Sequence, residues 1–559
     1  MSSLSPFRPQ VAGGTFDFML SDKQREEIAQ ETAPLVPLLW ENIQNLPDEG
    51  KVYHTERYGI VPGENVTAPL TALQTAISEA GGGIIQWAPG EYYLVDFQLA
   101  SNVQWRAPKG LVTIKLPPDL PTGSNLQIVE GDDKVGLRFE GIIFDGNRSA
   151  YGTGISEHWH CADFRGCDVE IVDCEFNNAI GDGAYFGQGL SGPSRVRGYG
   201  WRMNNNRRNG IAVVSVTEFV VDDIVIVGTN GTDLPAGPEA GIDFEPNSTN
   251  DRLENIRITN IRTEENRGGG IVVAPRLMVG ADSDVDIVIR GHTSVEDRIA
   301  SFRVGHCTGA LGGRVIVQDA RWIRPVRAAF VARNWASVGP RIEIRNPFIL
   351  DPESGQAGST MYGSVFTIYR EDGDGDGSTP AGNIHIFEPE LRVTGPTTAP
   401  KFLYVHPDAP TPENISLVDP IAVEGMNVTN CVDLRATKCF ASDRHQLLVR
   451  STGNASFELR EREWVSLINT DGMNTTRTVI LSSDIEVGWP DIEVVHTATS
   501  GNPMKILPDE ESVILPLSST PGKAIVASTR GSRIRLRKVE ADAWMVVWMA
   551  GDWQEEITE

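Results

Sequence analysis

Three carboxylates in the middle of this chain stand at spacings suited to acid–base chemistry on a glycosidic bond. Asp182, Asp243 and Glu245 belong to a phrase that recurs with variation: Gly183-Ala184-Tyr185-Phe186, Gly210-Ile211-Ala212-Val213, Gly241-Ile242-Asp243-Phe244 and Gly270-Ile271-Val272-Val273. Aligning the phrases puts Tyr185, Ala212, Asp243 and Val272 in one column, and Gly187, Val214, Glu245 and Ala274 in the next. Alternate residues of a strand point to opposite faces, so an inward Ile242 and Phe244 send Asp243 and Glu245 outward together. Asp182 stands just before its strand, two repeats below Asp243. Stacked strands lie about 4.7–4.9 Å apart, so two repeats separate backbones by roughly 9–10 Å. An acid and a base about 6.5–9.5 Å apart leave room for water and hydrolyse with inversion, whereas about 5–5.5 Å suits retention. Asp182 with Asp243 or Glu245 meets the first spacing, and Asp243 with Glu245 lies nearer the boundary. Crowded carboxylates raise one another's pKa, which keeps one protonated as the acid. The small neighbours Gly187, Ala212 and Ala274 predict a trough beside them. The plainer alternative is that these acids are surface residues and Asp182 a turn residue.

Elimination would need other groups: a cation against a uronate carboxylate, and a base to take the α-proton. Tyr185, Arg303 and His306 are candidates, and Arg207-Arg208, Arg276 and Arg333 fall near the same edge. Arginines on such a surface also serve as ordinary ion-pair partners. In Ser156-Glu157-His158-Trp159-His160, Trp159 offers a ring for sugar stacking with His158 beside it, or else an indole that anchors the loop. The two histidines have no third partner nearby, so no metal site is expected. Asp372-Gly373-Asp374-Gly375-Asp376-Gly377 begins like a calcium loop, but Asn383 stands where the closing Glu should be. A solvated acidic turn fits better, and no cofactor is expected.

The elements that must position these residues follow from the repeat. The opening glycines at 183, 210, 241 and 270 are 27, 31 and 29 residues apart. Such a period marks a solenoid, each unit burying its apolar face on the next. Short β-rich strings such as Val169-Glu170-Ile171-Val172 and Asn255-Ile256-Arg257-Ile258 fill the intervals without a long helix, as in a parallel β-helix. A solenoid also accommodates 559 residues without a thicker core. Cys161, Cys167 and Cys174 read as small interior hydrophobes. The net charge of −26 opposes nucleic-acid binding, because phosphates would be repelled. It also requires a local basic patch wherever a polyanion is to bind. No run of 18 apolar residues offers a membrane span. The start, Met1-Ser2-Ser3-Leu4-Ser5-Pro6, lacks a signal peptide's basic and apolar regions, so synthesis without export is expected.

Three segments are expected. Residues 1–50 form a short helical stub, opened by a Ser21/Gln24 capping box and broken at Pro34 and Pro37. Residues 51–439 carry the coils. In residues 440–559 ordinary alternating strands, from Gln446-Leu447-Leu448-Val449 to Ala543-Trp544-Met545-Val546-Val547-Trp548, read as a β-sandwich-like domain.

The order Tyr58-Gly59, Thr71-Ala72-Leu73-Gln74-Thr75-Ala76-Ile77, Gly81-Gly82-Gly83-Ile84 and Pro89-Gly90-Glu91-Tyr92 resembles the opening of the pectate-lyase superfamily. That resemblance implies an all-β, right-handed parallel β-helix acting on polysaccharide, its open end covered by the helix around Leu73. Phe139-Glu140-Gly141-Ile142-Ile143-Phe144-Asp145-Gly146 is similar to a coil start in the same superfamily. The C-terminal segment, ending Trp544-Met545-Val546 and Gly551-Asp552-Trp553, resembles the last domains of bacteriophage tail fibres and tailspikes. The tailspike resemblance implies a homotrimer on a virion that binds and usually cleaves a bacterial surface polysaccharide. By the same resemblance residues 1–50 would join other tail or baseplate proteins. The polysaccharide would meet Asp182, Asp243 and Glu245 as catalytic groups, with Tyr185, Trp159, His158, Arg207, Arg276, Arg303 and His306 lining its subsites. A lyase and a non-catalytic adhesin are the alternatives.

Overall fold

A computed structural model of the chain describes residues 51–120, 125–151, 158–231, 237–352, 364–369, 379–392, 510–529 and 532–555, and otherwise only strands beyond residue 400. The helical stub before residue 51 and the acidic turn at 372–377 lie outside the described residues. Residues from His54 to Glu559 form one unit.

The chain is a right-handed parallel β-helix. One face begins at Gly83–Gln86, which pairs in parallel with Val103–Arg106, then Leu137–Glu140, Asp168–Val172 and Gly192–Asn204. Another face stacks Ala162–Arg165, Ala184–Gly189, Ile211–Val213, Ala240–Phe244, Gly269–Val273 and Ala300–Cys307. Residues that alternate along each strand form continuous interior columns. Ala184, Ile211, Ile242, Ile271 and Phe302 make one, and Phe164, Phe186, Val213, Phe244 and Val273 the other. All are fully buried. Phe164 stacks on Phe186 with ring centres 5.5 Å apart, so the aromatic rings repeat with the coils.

The repeated glycines are a consequence of close stacking. A Cβ on Gly183 would meet Gly210 O at 2.6 Å, one on Gly210 would meet Gly241 O at 2.7 Å, and one on Gly241 would meet Gly270 O at 2.5 Å. Each coil thus presses its carbonyl where the preceding coil would carry a side chain, and any larger residue would push the coils apart. Beside the first coil, the helix Thr67–Glu79 buries Leu70, Leu73 and Ile77, and Gln74 Nε2 donates to Gln98 O at 2.8 Å. Cys161, Cys167, Cys174 and Cys307 are buried free thiols, in keeping with their reading as small hydrophobes.

Towards the C-terminus the parallel ladder runs past residue 439. Lys438–Ser442 stacks on Glu413–Val418, Val449–Arg450 on Val432–Leu434, and Ile468–Asn469 on Val449–Arg450. The boundary expected at 439 rested on strands that alternate like any others, and alternation does not distinguish a coil strand from a sandwich strand. Two further sheets then close over one core. Leu481, Ile506 and Ile525 come from a five-stranded sheet, and Ile514, Ile534, Leu536 and Trp544 from a four-stranded one.

Candidate active site

The register places the expected columns side by side. Tyr185 pairs with Ala212, Ala212 with Asp243, and Asp243 with Val272. Asp163 extends this column below Tyr185, and Arg303 extends it above Val272. Ile242 and Phe244 fill the interior, so the alternation is the expected one. Exposure differs from expectation. Asp182 is 0% and Asp243 1% exposed, and Ala212 and Val272 beside Asp243 are also covered, so these acids do not line an open trough. The cover comes from the connection at 205–210, which returns over Asp182: the Arg208 N–H donates to Gly181 O, and the Gly183 N–H donates to Asn209 O. Of the three acids only Glu245 reaches solvent, its side chain 46% exposed.

Arg208 is the centre of the cluster. Its Nη1 donates to Asp182 Oδ2 at 3.0 Å and its Nη2 to Glu245 Oε2 at 3.1 Å. Burial works against the guanidinium's charge, but Asp182, Asp243 and Glu245 outweigh it and hold its pKa above the usual value. Neither Asp243 oxygen accepts a hydrogen bond from a described residue. Burial first, and then the charge of Glu245, pushes the Asp243 carboxyl well above the ordinary range, against the pull of Arg208. A protonated Asp243 becomes a donor, and Glu245 is the acceptor beside it. The site thus sets a buried carboxyl disposed to keep its proton beside an exposed one held by Arg208.

Beneath this pair lies a second polar layer. His160 is 2% exposed, and its Nδ1 accepts the Asp182 N–H at 3.0 Å. Burial lowers its pKa, which matches a neutral ring with a bare Nδ1. The Tyr185 ring stacks on His160 with centres 5.3 Å apart, and the Arg165 guanidinium lies 5.2 Å from the Tyr185 ring centre. Arg165 in turn grips the fully buried Asp163, its Nη2 donating to Oδ2 at 2.8 Å. Burial pushes the Tyr185 phenol up to about 12.

The other expected residues divide. Trp159 is fully buried with its ring against Tyr151 at 5.1 Å, so it anchors the loop and offers no face to a sugar. Its neighbour His158 is exposed, 6.1 Å from the His160 ring. Arg207 is 5% exposed and belongs to the packed turn, where its N–H donates to Ala179 O; the adjacent Arg208 meets the acids. Arg276 is exposed in a short turn two residues past Ala274. Arg303 lies two coils above Asp243, and His306 follows it in the same strand with φ 60°. Sequence reasoning missed His160, Asp163 and Arg165. Cys161-Ala162-Asp163-Phe164 is the repeated phrase with Cys in place of Gly, so alignment keyed on glycine passes over it. No group of three or more His, Cys, Asp or Glu able to hold a metal ion occurs among the described residues.

Comparison with known proteins places the fold. No protein-family model and no curated protein matches this chain. Among solved structures, a mutant tailspike protein of E. coli bacteriophage HK620 in complex with a pentasaccharide matches with a TM-score of 0.55. It is 10% identical, and the match covers 91% of this chain and 91% of that one. The HK620 tailspike protein in complex with pentasaccharide gives a TM-score of 0.50 at 11% identity, with the same coverage. The A-module of the Azotobacter vinelandii mannuronan C-5 epimerase AlgE4 gives 0.52 at 16% identity, covering 70% of this chain and 100% of that one. At these identities the shared feature is the β-helix itself. No helix among the described residues is long and apolar enough to cross a membrane.

Proposed function

We propose that this chain is a phage tailspike that binds a bacterial surface polysaccharide and cleaves its glycosidic bonds by hydrolysis. The observation that carries the reading is the Asp243/Glu245 pair, in which a buried carboxyl kept protonated lies beside an exposed one fixed by Arg208. Glu245 faces the substrate. Asp243 gives its proton to Glu245, which delivers it to the glycosidic oxygen as the bond to the leaving sugar breaks, while a water molecule bonds to the anomeric carbon and its released proton returns to the emptied carboxylate pair. Asp182 acts through Arg208 as a positioning residue, because its carboxylate is turned to the guanidinium and away from solvent. Elimination with Tyr185 as the base is disfavoured, because burial pushes its phenol up to about 12 and makes it a poor base at neutral pH.

The likeness of the coil stack to tailspike folds supports the virion role; assembly as a parallel homotrimer and attachment to the tail through residues 1–50 are part of the same proposal and rest on the sequence resemblance alone. The reading is tested by incubating the protein with capsular and O-antigen polysaccharides while following reducing ends and the absorbance of unsaturated uronates. New reducing ends without unsaturation support hydrolysis. Unsaturation would make the protein a lyase, and binding without either product would make it an adhesin.

A further inference from the structure

The face that begins at Gly83–Gln86, and not the one that carries Asp243, holds a recess of about 260 Å³. Gln104 pairs with Arg138, Arg138 with Glu170, and Glu170 with Arg197, so these four residues form one outward row. Their neighbours Val103, Leu137, Val169 and Val196 fill the interior. Gly136 stands two residues before Arg138 and has no side chain, which opens the recess beside Asp168. The rim reaches solvent: Gly136, Glu170 and Arg197 are exposed, and Gln104, Arg138 and Asp168 are half-buried. Two residues beyond Arg197 on the same outward side, Tyr199 is 50% exposed. Its ring meets no other ring, cation or hydrogen-bond partner among the described residues.

Charge is balanced around the recess. Arg138 is paired with Glu170 and Glu140, Arg195 with Asp168 at 2.7 Å, and Arg197 with both Glu218 oxygens at 2.6 and 3.0 Å. The two arginines of the lining thus face two carboxylates, and an ion of either sign gains no net attraction. Hydrogen-bonding capacity is left over. Asp168 Oδ1, Arg197 Nη1 and the Gln104 amide bond to no other side chain among the described residues. A sugar matches both halves of this surface: its C–H face stacks on an aromatic ring, and its hydroxyls exchange hydrogen bonds with carboxylate, guanidinium and amide. The volume falls below the roughly 300–1,000 Å³ of sites for drug-sized ligands, which suits a single sugar ring. We propose that this recess and Tyr199 bind a neutral sugar unit, forming a second carbohydrate site on a different face from Asp243 and Glu245. The site goes beyond the cleavage reading and does not depend on it. On a surface coated with repeating polysaccharide, a second weak site raises avidity without any new contact at the acids.

The test is saturation-transfer NMR on the full-length protein. Glucose, galactose, rhamnose and N-acetylglucosamine serve as neutral probes, with glucuronic acid and glucosamine as the charged comparison. At least one neutral sugar should bind, and more tightly than either charged one. Gln104→Trp fills the recess and should abolish that binding. Tyr199→Ala removes an exposed ring and should weaken it about 2- to 10-fold. Glu245→Gln, at the acids, should leave it unchanged. If Gln104→Trp fails to fold, Tyr199→Ala still decides, because an exposed ring contributes little to folding. Neutral sugars that do not bind, a charged sugar that binds more tightly, or binding unchanged in the folded recess variants would overturn the proposal. Neutral sugar held at the recess by a protein that cleaves no polysaccharide would leave this site standing and end the hydrolase reading. Cleavage without such binding would do the reverse.

Discussion

Replacing Arg208 by Gln removes the cation that two carboxylates share, and the two arms should respond very differently. Asp182 is fully buried, so losing its partner leaves a charge in a medium that solvates it poorly. Breaking a buried pair from one side costs about 3–5 kcal/mol. The Glu245 arm is 46% exposed, and water screens it to about 0–1 kcal/mol. Almost the whole loss should therefore come from Asp182. Asp182→Asn cancels that stranded charge, so the double variant should be more stable than the sum of the single losses by on the order of 2–3 kcal/mol. The assay is the shift of the denaturant midpoint at constant slope, in all four members of the cycle. Arg208 also pulls the Asp243 pKa down, so Arg208→Gln should keep Asp243 protonated to still higher pH. A single variant as stable as wild type, or a double variant at the sum of the singles, would refute the clamp.

Asp243 gives a pH signature. Its raised folded pKa means that the folded protein keeps a proton the unfolded chain releases above about pH 4. Stability should fall as pH rises from there through the raised value, and Asp243→Asn should remove that part of the slope in a pH series of denaturation curves. Burial likewise pushes Asp297 up to about 6, so a share of the slope between pH 4 and about 6 should survive until Asp297→Asn is added. At Asp552 burial is outweighed by hydrogen bonds from Ser532, Thr529 and Ser528, which bring the carboxyl down to about 2. That stabilisation is present above about pH 4 and lost as pH falls towards 2; Asp552→Asn should flatten the acid limb of the C-terminal unfolding curve. Trp159→Ala should cost about 3–5 kcal/mol in denaturation, while the folded fraction binds polysaccharide like wild type.

The register was readable because both periodicities lie in the sequence: two along each strand, and the recurring glycine across coils. Ile242 and Phe244 inward with Asp243 between them follows from alternation alone. Burial of Asp182 and Asp243 was not readable. At Asp182 it depends on the connection at 205–210 stacking over the turn, and connections carry no period. Arg207 and Arg208 show the same limit. They are neighbours in one turn, yet one packs into the turn and the other grips two acids; composition cannot say which. Trp159 gave no sign of its direction either, since a Trp between two histidines suits a sugar face and a buried anchor equally. Where the coils end was not readable for a related reason, because strands on both sides of residue 439 alternate alike.

The central claim is the proton shared by Asp243 and Glu245, and cleavage by their separate amides tests it most directly. Glu245→Gln and Asp243→Asn keep the shapes of the side chains, so folding and polysaccharide binding should persist. Losing a general acid typically costs about 10²–10⁴-fold in rate. Glu245→Gln should lose cleavage by that order. Asp243→Asn, which keeps a hydrogen-bond donor but has no proton to give, should show a comparable loss. Cleavage at the wild-type rate by both folded, polysaccharide-binding variants would contradict it.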